Sequence, residues 1–194
     1  ERLTMTLLKL KNIREASLFP SDTKRIAGNR IKAHIFFGGE NIRNEIIRRC
    51  RAKEIAFDHL VHEPTPTSQD SARVRGISME EGVKALILRG KTSKKNYQFN
   101  IPSHLKLDMK AASEAVGEKC EFEDPTIIQE RFGLIIGGVP PFGNLLNLDN
   151  YFDEQIVQRE KAAFNCGLTT ESILMQSKDL VTIAEPKFGS FAKG

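Results

Sequence analysis

Two stretches of the 194-residue chain combine residue types and spacings that could act on a polar substrate. In VKALILRG at 83–90, Lys84 is the one interruption of a segment that reads as apolar on both faces of a strand, with Val83, Ala85 and Ile87 pointing one way and Lys84, Leu86 and Leu88 the other. An ammonium held there is either a fixed positive charge for a phosphate or carbonyl oxygen, or an edge-strand lysine snorkelling to water. The second stretch is the heptad Gly137, Gly138, Val139, Pro140, Pro141, Phe142, Gly143. It holds no acid, base, nucleophile or metal ligand, so what it can offer is backbone. Glycines let a ligand approach the chain closely and permit positive φ, while prolines fix φ near −65° and pre-order the turn. An N–H aimed at a carbonyl oxygen in a dry site contributes about 2.7–4 kcal/mol to transition-state stabilisation. Pro140 and Pro141 have no N–H, which leaves Gly137, Gly138, Val139, Phe142 and Gly143 as donors. The alternative is a purely structural turn.

Other chemistries lack their residues. The chain shows no Ser–His–Asp pattern and no nucleophile elbow. Cys50, Cys120 and Cys166 are widely spaced, and with four scattered histidines they form no zinc-ligand pattern, so neither a metal nor a cofactor is expected. An odd number of cysteines argues against a disulfide framework and for a reducing cytosol, hence a cytoplasmic protein. No run approaches the roughly 18 apolar residues of a membrane span. Charge is uneven: residues 1–62 carry 13 Lys/Arg against 7 Asp/Glu, a net of +6, whereas residues 63–194 carry a net of −2. The basic third could face a polyanion or form a solvated helix surface.

The elements that must position these residues follow from periodicity and punctuation. RLTMTLLKL at 2–10 is helical in pattern, and a linker falls within 20–40 around the β-like run HIFF at 34–37. A strong helix begins at Asn41, with Ile42, Ile46, Ile47, Cys50 and Ile55 as its stripe and Arg43, Arg48, Arg49, Arg51 and Lys53 mostly elsewhere. A strand over 55–62 ends at Pro64 and Pro66; Ser68 then caps a helix over 69–75, and Ser78 with Glu81 forms a capping box. The Lys84 strand pairs through a solvated tip at 91–95 with a strand at 97–102. A helix over 107–116 stops at Gly117, CEFED is a short strand, and Pro125 opens a helix through Arg131. Strands are expected near 145–149, 155–164 and 173–176, and Ser177 caps a short terminal helix. This mixed order without repeats predicts an α+β fold: a curved, mostly antiparallel or mixed sheet with flanking helices.

Six segments, in order, resemble the YbaK family of aminoacyl-tRNA deacylases, which includes the insertion domain of bacterial prolyl-tRNA synthetases. They are VHEPTPTS at 61–68, GVKALIL at 82–88, IPSHLKLDMKAASEAVG at 101–117, DPTIIQERFG at 124–133, IIGGVPPFG at 135–143 and FNCGLTTESILMQSKDL at 164–180. The resemblance covers roughly 41–191 and implies a YbaK-like, barrel-like sheet, an editing hydrolase acting on tRNA mischarged with a small amino acid, and a mechanism that leans on the substrate without a covalent enzyme intermediate. It makes Lys84 the residue on which activity depends and the 137–143 turn the cradle of the ester. Gly167 and Ser172 correspond to the second pocket wall, and His62 faces the pocket mouth or is structural. Ala85 departs from the family, which often has Thr, Ser or Asn there. The segment Arg43, Arg48, Arg49, Arg51 and Lys53 is expected to seat the acceptor stem through phosphates. Tyr97 and Phe99 pack the core or stack on a base; His104 and Cys166 read as structural, and Glu171 as solvated.

Residues 1–30 resemble instead the end of an archaeal- or eukaryotic-type aspartyl-tRNA synthetase catalytic domain. Glu1-Arg2 stands where class II motif 3 closes, and Arg2 at its ATP-binding arginine. The other synthetase motifs are missing, so no aminoacylation is expected. The implied organisation is a synthetase-like remnant at 1–30, a linker at 31–40 and an editing domain at 41–194, either as part of a longer fusion or as a remnant beside an editing domain. The partners are then tRNA and an aminoacyl-tRNA synthetase. The rival reading is a non-catalytic domain that tethers tRNA or a synthetase.

Overall fold

In the computed structural model, residues 36–65 and 67–194 are described. The helix expected at 2–10, the synthetase-like segment 1–30, most of the linker and Pro66 lie outside them.

Helix α1 (Gly39–Ala52) starts after Gly38, whose φ of 88° is open to glycine, and so begins two residues before Asn41. Glu40 in its first turn and Arg49 and Arg51 in its last complement the helix dipole. Ile42, Ile46 and Cys50, spaced by four, are fully buried. Strand β1 (Phe57–Val61) and helix α2 (Ser68–Arg75) follow; the cap of α2 is Thr67, whose hydroxyl accepts from the Asp70 amide, one residue before the expected Ser68. The Ser78–Glu81 box closes a 3-10 turn over Met79–Glu81.

Strands β2 (Val83–Gly90) and β3 (Asn96–Pro102) form the expected hairpin. The two-faced pattern of β2 has a structural counterpart: Val83 and Ile87 with Ala85 join one apolar cluster, and Leu88 with Leu86 joins the other. Strand β4 (Lys106–Leu107), helix α3 (Met109–Val116), strand β5 (Cys120–Phe122) and helix α4 (Pro125–Phe132) come next, with Pro125 at the first turn of α4. After the glycine–proline turn come β6 (Asp149–Asp153), β7 (Lys161–Asn165), β8 (Glu171–Gln176), α5 (Ser177–Ala184), β9 (Lys187–Gly189) and β10 (Ala192–Lys193). Phe99 lies against Tyr151, stacked at 4.6 Å, and against Phe191 edge-on, so it is a core residue and no base platform.

The strands form a five-stranded sheet in the order β5-β2-β3-β6-β9, a three-stranded sheet β1-β8-β7 and a β10-β4 pair. The β3–β6 and β6–β9 pairings are parallel and the others antiparallel. The fold is α+β with mixed sheets, and among the described residues no closed barrel forms. The reason is local. Where strands were expected at 145–149 and 155–164, 3-10 turns at Gly143–Leu145 and Glu154–Gln158 come first and the strands lie later, at Asp149–Asp153 and Lys161–Asn165. The second turn is set by the Asp153 carboxylate accepting from the Gln155 amide. Strand β7 is therefore five residues long, and among the described residues a single parallel bridge, between Gly82 and Ala163, joins the two larger sheets.

Candidate active site

Side-chain amides from three strands hold the 137–143 turn. Asn165, at the end of β7, donates Nδ2 to the Gly137 carbonyl. Gln98 in β3 donates Nε2 to the Pro140 carbonyl at 2.8 Å, and Asn150 in β6 donates to the Pro141 carbonyl at 3.4 Å. Gln98 and Asn150 are buried, so these bonds stand in for water that cannot reach the carbonyls. Inside the turn the Gly138 amide donates to Ile135 and the Phe142 amide to Pro140, both at 2.8 Å. Two of the five candidate donors are thereby spent. The amides of Gly137, Val139 and Gly143 donate to no acceptor among the described residues.

The heptad is also more deeply set than a freely exposed cradle. Gly137 is exposed, whereas Gly138, Val139, Pro140, Pro141, Phe142 and Gly143 are buried. Phe142 meets Phe164 edge-on at 5.4 Å. Pro140 to Gly143 thus root the turn in the core, and Gly137 presents its outer end. Gly167 seats that end: a Cβ on Gly138 would lie 3.2 Å from the Gly167 carbonyl. Gly167 itself has φ of 114°, and a methyl group on it would collide with the Gly39 carbonyl at the start of α1.

Ser172 and His62 come together although 110 residues apart: His62 Nε2 lies 2.7 Å from Ser172 Oγ, and His62 Nδ1 lies 2.7 Å from the Glu63 carbonyl. A carbonyl only accepts, so Nδ1 carries a proton and Nε2 is the ring nitrogen that faces the serine hydroxyl. The contact has the distance of a nucleophile–base pair. Ser172, however, has 0% exposure, and its hydroxyl accepts from Arg75 Nε at 2.9 Å and donates to Asn165 Oδ1 at 3.0 Å. It is a buried junction with no access for an ester. Arg75 and Asn165 were not singled out by sequence. Arg75 Nη2 donates to Asn165 Oδ1 at 2.8 Å, so a continuous network runs from α2 through Asn165 to the Gly137 carbonyl. Burial pushes the Arg75 guanidinium down to about 10, which leaves it charged at neutral pH.

Lys84 is half-buried, and burial alone lowers its pKa below the ordinary 10.5. No carboxylate pairs with it among the described residues. It lies two residues beyond the Gly82–Ala163 bridge on β2, and Asn165 lies two beyond it on β7. Ala85 packs on the main core. The structure thus joins His62 and Ser172 to Gly137 through Asn165, and sets Gly138 against Gly167.

The basic segment departs from expectation. Arg43 donates to Glu171 at 2.6 Å, and the other oxygen of Glu171 meets His59 at 2.6 Å, so Glu171 is paired rather than solvated. Arg48 and Arg49 both bind the buried Glu45, at 2.7 and 2.8 Å. Burial would raise the Glu45 carboxyl, but these hydrogen bonds outweigh it and hold the pKa below the usual carboxylate value. Only Arg51 and Lys53 remain as exposed cations without a pairing among the described residues. His59, Cys166 and Glu171 present ligand atoms within 4.8 Å of one another, close enough for a metal ion. The Arg43 guanidinium already occupies that carboxylate, and burial first, then the Glu171 charge, push the Cys166 thiol up to about 12, so the trio carries little net attraction for a cation.

The arrangement is a fixed backbone turn with unpaired amides, without an accessible nucleophile among the groups described above; Lys84 lies on β2, the strand bridged to β7. A family model described as an aminoacyl-tRNA editing domain matches residues 62–183. The chain belongs to this family. It is an aminoacyl-tRNA deacylase, a hydrolase of translation quality control, and aminoacylated tRNA is its partner. The editing domain is 26% identical over 143 residues to the multifunctional Ser/Thr-tRNA deacylase ProXp-y of Escherichia coli K12, covering 71% of this chain and 84% of that protein. It is 22% identical over 151 residues to the prolyl-tRNA editing protein ProX of Acetoanaerobium sticklandii, covering 75% and 92%. A crystal structure assigned as a trans-editing enzyme for prolyl tRNA synthetase superposes with a TM-score of 0.69 at 22% identity, over 78% of this chain and 97% of that one. No helix among the described residues is long and apolar enough to cross a membrane.

Proposed function

We propose that this editing domain hydrolyses the ester of tRNA carrying a small amino acid, with the ester seated on Gly137–Val139 and Lys84 supplying a fixed positive charge. The observation that supports this most is the locked Gly137–Gly138 peptide. Its carbonyl is held by Asn165 and its amide by Ile135, while the amides on either side, Gly137 and Val139, have no acceptor among the described residues. Donors fixed in that way are ready for a carbonyl oxygen that becomes an oxyanion, and no reorganisation is needed at the moment of attack. Water is the nucleophile, assisted by a hydroxyl or side chain of the substrate. Pro140, Pro141, Phe142 and Gly143 act as the root of the turn, and His62, Ser172 and Gly167 hold its outer end. Arg51 and Lys53 contact acceptor-stem phosphates, with Arg48 beside them; Arg43 and Arg49 serve structural pairs.

We place the protein in the cytoplasm, in keeping with three buried free cysteines. Partnership with a synthetase rests on the synthetase-like residues 1–30, and copurification with and without them tests it. The catalytic reading is tested by a panel of alanyl-, cysteinyl-, seryl- and threonyl-tRNA. At least one is hydrolysed, and Lys84→Ala abolishes that activity with the circular-dichroism spectrum retained. An unchanged rate in the variant removes the role assigned to Lys84.

A further inference from the structure

Arg75 is 8% exposed, yet its partners are neutral: Ser172 Oγ at 2.9 Å and Asn165 Oδ1 at 2.8 Å. No carboxylate pairs with it among the described residues. Its Nη1 has no partner there either, and it is absent from the buried atoms sealed off without a hydrogen bond, so it keeps contact with solvent. A buried guanidinium without a counter-ion is costly, and the two occupied nitrogens fix the plane of the fork. The free edge lies one residue contact from Asn165, the side chain that holds the outer end of the ester-binding turn.

We propose that Arg75 binds the phosphodiester joining the terminal adenosine of the acceptor end to the nucleotide before it. This rests on the deacylase reading of the 137–139 turn. In an aminoacyl-tRNA the carboxylate of the amino acid is consumed in the ester and its amino group is cationic. With a small neutral side chain, the anions near the ester are the backbone phosphodiesters, and the nearest lies across a single ribose. A planar fork whose inner nitrogens are already held in place matches a phosphodiester oxygen without further ordering. Ser172 and Asn165 then have a second purpose: they aim Arg75 as well as the turn.

The test compares cytidylyl-(3′,5′)-adenosine, which contains that phosphodiester, with adenosine, which lacks it, by calorimetric titration of the full chain. Wild type is expected to bind the dinucleotide at least ~10-fold more tightly, in line with a charge-assisted hydrogen bond. Arg75→Met is expected to erase the preference, and Arg75→Lys, which keeps the charge and loses the fork, to retain part of it. Circular dichroism verifies that both variants fold. Equal affinities in wild type, or a preference that survives Arg75→Met, overturns the proposal. Hydrolysis is read separately. A wild type that prefers the dinucleotide but hydrolyses no aminoacyl-tRNA leaves the Arg75 site standing and removes the deacylase reading of the turn. A wild type that hydrolyses without the preference does the reverse.

Discussion

Two arginines reach the same end of the β1-β8-β7 sheet from opposite sides. Arg43, on α1, meets Glu171; Arg75, on α2, meets Ser172. Residues 171 and 172 are neighbours in β8, so their side chains leave the strand on opposite faces. On the Arg43 face, guanidinium, carboxylate and the His59 imidazole satisfy one another, and the site is closed. On the Arg75 face, a hydroxyl and an amide carbonyl replace the carboxylate, the positive charge stays unmatched, and the network ends on the turn with unpaired amides. Exchanging the polar group opposite a buried arginine from carboxylate to hydroxyl changes a structural clasp into a place for a substrate anion. One face is therefore expected to control stability and the other activity.

Gly167 serves both faces, and breaking it has the largest expected effect. Gly167→Ala places a side chain at φ of 114° and against the Gly39 carbonyl, and is expected to cost about 3 kcal/mol or more, read by urea unfolding. Glu171→Gln opens the closed face. It strands a largely buried Arg43 and should lower stability by about 2–3 kcal/mol, less than for a fully buried pair because both side chains keep some exposure; deacylation per folded molecule should change little. Asn165→Ala does the opposite on the other face. The expected loss of stability is about 1–2 kcal/mol, but the rate should fall at least ~10-fold because the Gly137 carbonyl is released. An Asn165→Ala enzyme with a normal rate would dissolve the distinction between the faces.

Lys84 gives a pH-dependent measure of the same division. Its folded pKa lies below the unfolded 10.5, so between the two values the unfolded chain binds more protons and stability rises with pH. Relative to wild type, Lys84→Met is expected to be more stable at neutral pH, with the gap closing as pH rises through that window towards 10.5. The smallest effect is expected from Arg51→Ala with Lys53→Ala. KM for aminoacyl-tRNA should rise a few-fold at low salt and the difference should vanish at high salt.

Much of the frame was legible in the sequence because it is written locally. The two-faced apolar pattern of β2, Pro125 at a helix start and Gly117 at a helix stop each declare themselves within a few residues. The stiffness of the heptad was equally plain. What holds it was not, since Gln98, Asn150 and Asn165 are polar residues whose meaning depends on strand pairing across the whole domain. Arg75 follows exposed Arg73 and Val74 and reads as part of a solvated helix end; only the return of Asn165 and Ser172 on β7 and β8 makes it a buried charge. The basic helix is a different lesson. Glu45 stands three and four residues before Arg48 and Arg49, a spacing at which helix side chains meet, so their neutralisation was readable and was hidden by counting charges. The strands expected at 145–149 and 155–164 begin only at Asp149 and Lys161, after 3-10 turns whose short apolar runs look the same as strands.

In the proposed reaction water attacks directly an ester held by backbone amides and Lys84, and Ser172 stays a buried junction. Intact-mass measurement of the enzyme, quenched in acid during a single turnover of a hydrolysed aminoacyl-tRNA, addresses that claim most directly. The expected result is the unmodified mass at every time point. An increment equal to the acyl group, lost when Ser172 is replaced by alanine, would contradict it.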